Sequence, residues 1–240
     1  MIKKILYLLE TELKTLRGLV YYRFFGNKKL ERDVTEEFTE FYYKSGMFNK
    51  TWESTFWLGT RMRKFPMDLV IYQEIIFEIK PDVIIESRTA DGGSALFLAS
   101  ICDAIGKGRV IMIDIKERVG RPKHKRITYL KGSSTSEEIV GRIEKLVKEY
   151  EKVLVILDSD HHEKHVLNEL RIYSRFVTKG SYLIVEDTVL NGHPVEPQYG
   201  PGPMEAVEKF LKENKNFIVD NKREKLYVTF NPSGYLKKIR

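Results

Sequence analysis

Apolar residues recur every three or four positions at Ile2, Leu6, Leu9, Leu13, Leu16 and Val20, which predicts an amphipathic helix at the start of the chain. A second, weaker helical pattern covers about residues 31–45. Beyond residue 65 the pattern changes to short β-branched runs at Val83–Glu86, Val110–Ile115, Ile127–Leu130, Val153–Leu157 and Tyr182–Val185. Helical periods separate them at about 66–80, 93–105, 135–150, 161–177 and 203–214. Continuously apolar strands alternating with helices of this length imply a parallel sheet covered on both faces. Phe217–Asp220 and Leu226–Phe230 also read as strands, but the five residues Asn221–Lys225 between them cannot hold a crossover helix. These two are expected to form an antiparallel hairpin. The predicted fold is α/β: a Rossmann-like, doubly wound, mainly parallel seven-stranded sheet ending in an antiparallel hairpin. An N-terminal helical arm over 1–50 precedes this domain of 51–240.

Composition narrows the picture by exclusion. The longest early apolar runs, Ile5–Leu9 and Gly18–Tyr22, stop at Glu10 and Arg23, well short of the roughly 18–20 residues that span a bilayer. Met1–Leu9 runs into charge with no small-residue cleavage site, so no secretory signal is expected. The single cysteine, Cys102, excludes an internal disulfide framework and suits a reducing, cytoplasmic setting. It falls in an apolar helical stretch, where a core role fits better than a nucleophile. Forty-one Lys and Arg against 34 Asp and Glu leave a net charge of +7. Much of the excess lies in residues 1–29, with no nucleic-acid-binding signature, so no nucleic-acid partner is expected. That basic, leucine-striped arm suits self-association into a homo-oligomer, or weak peripheral contact with an anionic membrane.

Open α/β sheets bind ligands beyond the carboxyl ends of their strands, and the candidate chemistry lies there. The first strand runs into Glu86-Ser87-Arg88-Thr89-Ala90-Asp91-Gly92-Gly93-Ser94. Its glycines admit a ligand close to the backbone, and Ser94 could cap the next helix. It is neither a GxGxxG fingerprint nor a phosphate loop. Asp114, ending the second strand, either accepts ribose hydroxyls or caps the next segment. After the third strand come Ser133 and Ser134, with Ser and Thr available to cap the helix near Glu137. The fourth and fifth strands deliver Asp158, Asp160, His161 and His162, then Glu186 and Asp187. Carboxylates crowded on one rim call for a cation or proton between them, and hard oxygen donors favour Mg2+, Mn2+ or Ca2+; the plainer alternative is that each caps a helix or meets a lysine. His161 and His165 share a helix face, but the stretch is one residue short of HExxH. His161 or His162 is a candidate base, while Trp52, Trp57, Tyr42 and Tyr43 could line a substrate mouth but suit core or interface packing better.

With these residues the chain resembles the cephalosporin hydroxylase family, which has the class I S-adenosylmethionine-dependent methyltransferase fold. The resemblance covers roughly residues 50–240. It rests on Trp57-x-Gly59, on Pro66-x-Asp68-Leu69 with Tyr72-Gln73-Glu74, on the glycine loop, and on Leu157–His162 and Val185–Thr188. Asn191–Pro194, Gly200–Pro203 with Glu205–Val207, and Phe230–Leu236 extend it. The resemblance implies an S-adenosylmethionine pocket over Glu86, Thr89, Gly92, Gly93, Ser94, Asp114, Ser133 and Ser134, which Asp158 borders. It also implies a magnesium site on Asp160, Glu186 and Asp187, with Asp158 the alternative first ligand. The implied activity is metal-assisted O-methylation of a sugar or small natural product, with His161, His162 and Asp160 at the catalytic centre and loops 50–66 and 190–203 framing the acceptor. One departure stands out: the family's Glu-x-Gly-Thr is Glu86-Ser87-Arg88-Thr89 here. An arginine in a tight turn is expected to crowd the cofactor. That raises the rival reading of a non-catalytic scaffold that keeps the fold.

Overall fold

The computed structural model describes Leu13 and residues 28–240, with side chains from Glu31 onward. Contacts divide the chain into two compact units, Met1–Phe38 and Thr39–Arg240. Helix α1 (Lys28–Gly46) agrees with the second helical pattern. The predicted helix over Ile2–Val20 lies outside the described residues apart from Leu13, which is exposed.

The second unit holds a two-stranded ribbon, β1 (Phe56–Trp57) with β2 (Thr60–Arg61), and a seven-stranded sheet. The sheet strands are β3 (Val83–Ser87), β4 (Arg109–Asp114), β5 (Ile127–Lys131), β6 (Val153–Leu157), β7 (Tyr182–Val185), β8 (Phe217–Val219) and β9 (Tyr235–Lys238). Five helices complete the unit: α2 (Pro66–Ile79), α3 (Gly93–Ala104), α4 (Glu137–Leu146), α5 (Glu163–Tyr173) and α6 (Pro203–Glu213). Strand side chains alternate between two apolar layers. Ile85, Ile113, Val155 and Val185 pack with α4, α5 and α6, while Ile84, Met112, Ile156 and Ile184 pack with α2 and α3. Burial on both faces explains why these strands read as unbroken apolar runs.

Spatial order is β5-β4-β3-β6-β7-β9-β8, with β3 through β7 parallel. The chain runs outward from β3 to β5 and then returns to the other side of β3 at β6. That reversal opens a crevice at the carboxyl ends of β3, β4 and β6, where ligands bind in such sheets.

Two expectations are corrected. The antiparallel partner at the sheet edge is β9, which pairs with both β7 and β8, and not 226–230. Residues 229–231 are taken out of the ladder by Asp68, whose buried carboxylate accepts from the Phe230 N–H at 3.0 Å and from the Thr229 hydroxyl. The helix expected from 161 begins at Glu163, with His162 as its N-cap, so His161 precedes it and does not share a helix face with His165.

Candidate active site

The loop after β3 is shaped by close backbone approach. Gly92 is left-handed (φ 91°) and caps α3. A Cβ on Gly93 would stand 2.4 Å from the Arg61 carbonyl oxygen, so only glycine lets the 61–62 backbone lie against this helix start. Ser94 does not cap the helix as expected; its hydroxyl donates to Glu86 Oε2 at 2.9 Å. Thr89 is buried with its hydroxyl unpaired among the described residues. Asp114 accepts from the Ala90 N–H at 3.1 Å, the Lys116 N–H at 2.9 Å and Arg121 at 2.6 Å. It therefore does tie its own turn, and it still borders a cavity.

That cavity, of about 410 Å³, is lined by Asp114, Ser133, Ser134, Ser159, Asp160 and His165 among others. Ser136 caps α4 by accepting from the Ile139 N–H, which leaves Ser133 and Ser134 to the cavity. A second cavity of about 250 Å³ is lined by Lys64, Thr89, Ser94, Asp158, His161, Glu186 and Asp187, with further residues from 43 to 72 and 230–231. Arg88 lines both.

The residue that pattern reading missed is Lys64. Its buried ammonium lies 2.9 Å from Glu86, 2.9 Å from Asp158 and 2.6 Å from Glu186, and Tyr72 donates to Glu186 at 2.8 Å. Burial opposes its charge, yet Asp158, Glu186 and Glu86 together hold it protonated well above the usual lysine range. Burial pushes Glu186 and Glu86 up in turn. Asp158 goes the other way: burial is outweighed by Lys64, His161 and Arg88, which hold its carboxyl far below the usual range. Lysine 64 is thus the cation that the crowded carboxylates called for. Its signal was the Lys64-Phe65-Pro66-x-Asp68 segment just ahead of α2.

Asp158 also faces outward. His161 Nε2 lies 3.1 Å from Asp158 and 3.3 Å from Asp187, and these three residues each offer a ligand atom within 4.8 Å of the others. Burial lowers the His161 pKa, but Asp187 and Asp158 outweigh it and raise the imidazole above its ordinary value. The two carboxylates of this outer set suit a hard divalent cation, with the His161 imidazole beside them; the inner set of Glu86, Asp158 and Glu186 is already neutralised by Lys64.

Asp160 and His162 stand apart from this cluster. Asp160 accepts from the His162 N–H at 3.0 Å, both side chains are more than half exposed, and His162 stacks on Tyr199. Of the two candidate first ligands, Asp158 lines the second cavity with Glu186 and Asp187, and Asp160 lines only the first. His165 turns to Ser134 and Glu169, so the histidines do not gather around one metal. Loop 190–203 is tied to Glu205 through Asn191, His193 and Gly202, and contributes no lining residue to the second cavity. Phe230 and Asn231 stand where that loop was expected. Trp52 and Tyr43, expected in the core, line the cavity, whereas Trp57 packs edge-on against Phe97. Arg88 adopts φ 69°, a left-handed conformation that glycine takes freely. Its side chain is exposed, and attraction from Asp158 raises its pKa despite burial of part of its length, with Asp187 and Glu186 adding to the effect.

Comparison with known proteins gives the family and the fold. The family profile described as Rhamnosyl O-methyltransferase/CmcI matches residues 49–239. Rhamnosyl O-methyltransferase of Mycobacterium leprae (strain TN) is 38% identical over 209 residues, 85% of this chain and 90% of the relative. Its namesake in Mycobacterium tuberculosis (strain ATCC 25618 / H37Rv) is 38% identical over 210 residues, 85% of this chain and 84% of the relative. A solved CmcI structure with Mg and SAM superposes with a TM-score of 0.60 at 19% identity, covering 78% of this chain and 77% of the other. The methyltransferase MycE, in complex with Mg, SAH and mycinamycin VI, gives 0.54 at 16% identity, over 70% of this chain and 48% of that one. The two cavities thus sit in a fold shared with these structures, and the cephalosporin hydroxylase resemblance leads to the same place. Through residues 49–239 the chain belongs to the Rhamnosyl O-methyltransferase/CmcI family, and with it to the S-adenosylmethionine-dependent methyltransferases.

Proposed function

We propose that this protein transfers the methyl group of S-adenosylmethionine to a hydroxyl of a sugar, with a 6-deoxyhexosyl group such as rhamnosyl as the acceptor. The observation that carries this reading is the pair of cavities meeting at Arg88, one lined by Asp114, Ser133 and Ser134 and the other by the His161–Asp158–Asp187 cluster. The adenosine end of the cofactor occupies the first, with Asp114 toward its ribose and Ser133 and Ser134 toward its base. Its amino-acid end reaches Glu86, Thr89 and Ser94 past Gly92 and Gly93, and the acceptor enters the second cavity. Arg88 at the junction offers its guanidinium to the cofactor's carboxylate.

Transfer is a direct displacement: the acceptor oxygen forms a bond to the methyl carbon as the carbon–sulfur bond breaks, and the hydroxyl proton leaves. His161 takes that proton, and Asp158 and Asp187 orient the imidazole and stabilise its charge. Lys64 and Tyr72 fix Glu186 and Glu86, so the rim is organised before ligands arrive. Asp158 and Asp187, with Glu186 beside them, would hold a Mg2+ or similar ion, which when bound lowers the hydroxyl's pKa as a Lewis acid.

Three outcomes test the reading. His161→Gln should lower kcat by about 10²–10⁴-fold while the protein still binds S-adenosylhomocysteine in calorimetry. Saturating Mg2+ should raise the melting temperature, through roughly 2.7 kcal/mol of linkage at a hundredfold excess over Kd. That shift should vanish in Asp158→Asn and persist in Asp160→Asn. The opposite pattern would return the ligand role to Asp160, and no shift in the wild type would remove the metal from the account.

A further inference from the structure

The second cavity has an aromatic wall that the transfer chemistry does not use. Tyr43, Trp52, Phe65 and Phe230 line it together with the carboxylate rim. Sequence position alone gives no reason for this, since Tyr43 lies on α1 and Trp52 on the turn that follows. The indole is built in deliberately. Its Nε1 donates to the Tyr43 carbonyl at 2.9 Å, and its ring stacks on the Tyr43 ring at 5.7 Å and 27°. Gly46 makes room for it, because a Cβ there would stand 2.1 Å from Trp52 Nε1. The Tyr43 hydroxyl makes no hydrogen bond among the described residues, its pKa is raised by burial first and then by Asp187, and Tyr43 lines the same cavity as Asp187. Behind them, Phe65 and Phe230 stack at 4.8 Å with Tyr42 edge-on to both.

A purely structural cluster would close over its own rings. Here Trp52 and Tyr43 are only partly buried, stack on one another with the indole anchored to the Tyr43 carbonyl, and open into the cavity lined by His161. Pockets of this make-up, a flat aromatic wall opposite a few convergent polar groups, accept ligands with one apolar and one hydroxylated side. A pyranose has that form: axial C–H bonds on one face carry slight positive charge and sit well on the electron-rich face of an aromatic ring. A 6-deoxyhexose adds a methyl group in place of a hydroxymethyl and so presents more apolar surface.

We propose that Tyr43 and Trp52 form the platform for the apolar face of the acceptor sugar, a neutral 6-deoxyhexoside, and hold its reactive hydroxyl toward His161. The proposal rests on the sugar-methylation reading above and adds the residues that select the sugar.

Trp52 and Trp57 are the two tryptophans of the chain, so Trp57→Phe leaves Trp52 as the only indole reporter. Titrating that variant, saturated with S-adenosylhomocysteine, with methyl α-L-rhamnopyranoside should give a saturable change in fluorescence. Methyl α-L-mannopyranoside, which differs only by the extra hydroxyl at C6, should bind at least fivefold more weakly. In the otherwise unaltered chain, Trp52→Ala should raise the rhamnoside KM at least tenfold, with kcat within about threefold and S-adenosylhomocysteine affinity unchanged. Tyr43→Leu keeps the backbone carbonyl that holds the indole and should act in the same direction, which serves if Trp52→Ala folds poorly. Rhamnoside binding detected by saturation-transfer NMR without any change at Trp52, or a KM unmoved in both variants, would overturn the platform while leaving methyl transfer intact. Failure of both pyranosides to bind a protein that binds S-adenosylhomocysteine would overturn the platform and the sugar acceptor together.

Discussion

Lys64 sets the charge balance of the rim. Three carboxylates converge on its ammonium in a buried site, and removing one partner of such a cluster leaves uncompensated charge. Lys64→Met is therefore expected to cost about 3–5 kcal/mol in urea denaturation at neutral pH. A loss below 1 kcal/mol would mean the carboxylates rearrange freely. Asp68 gives a second residue-level test, through pH. Burial pushes its carboxyl from 3.8 up to about 6, against the hydrogen bonds from Thr229, Phe230 and Tyr235. A raised acid pKa means that the folded state holds the proton more tightly than the unfolded chain. The contribution of Asp68 to stability therefore falls as pH rises from about 4 to about 6 and is level above that. Relative to Asp68→Asn, the wild type should lose on the order of 3 kcal/mol across this window in paired melting curves. A constant difference between the two proteins would contradict the assignment. At this scale the sequence was legible where a residue ends a strand: Asp114, Asp158, Glu186 and Asp187 all lie at the crevice. Lys64 was hidden because its partners are distant in sequence, and a lysine beside a proline looks like surface.

At the scale of elements, the strand-to-helix turn after β3 depends on two glycines for different reasons, conformation at Gly92 and space at Gly93. Gly93→Ala would drive a methyl group into the Arg61 backbone. Because backbone rather than a flexible side chain must yield, the cost should be about 1–3 kcal/mol, with weaker S-adenosylhomocysteine binding as the 61–64 segment and Lys64 shift. Unchanged melting and affinity would show that this segment gives way at no cost. The five parallel strands were readable because burial on both faces leaves them nothing but apolar residues. The edge was not. Val228–Phe230 has strand composition, yet the buried acceptor Asp68 on α2 claims its backbone and hydroxyl donors, and the sheet is completed by Tyr235–Lys238. The aromatic wall was ambiguous for a related reason: Tyr43 and Trp52 fit a substrate mouth or a core by composition, and only the cavity beside them separates the two.

At the scale of the whole molecule, the family match begins at residue 49, whereas the sheet unit begins at Thr39 and takes Tyr42 and Tyr43 into its aromatic cluster. We propose that residues 1–27, basic and leucine-striped, serve self-association. A chain beginning at Lys28 should keep S-adenosylhomocysteine affinity within about twofold and lose oligomer order in light scattering; an unchanged mass would contradict this, and loss of binding to anionic vesicles would assign the arm to a membrane surface. The central claim is methyl transfer to a sugar hydroxyl, and one experiment addresses it directly. The full-length protein is incubated with S-adenosylmethionine carrying a ¹³C-labelled methyl group, methyl α-L-rhamnopyranoside and Mg2+, and the products are read by ¹³C–¹H NMR. The account predicts a new O-methyl signal on a single ring position, growing in step with S-adenosylhomocysteine and absent with His161→Gln. Tight cofactor binding without any O-methyl signal from this or related deoxyhexosides would contradict it.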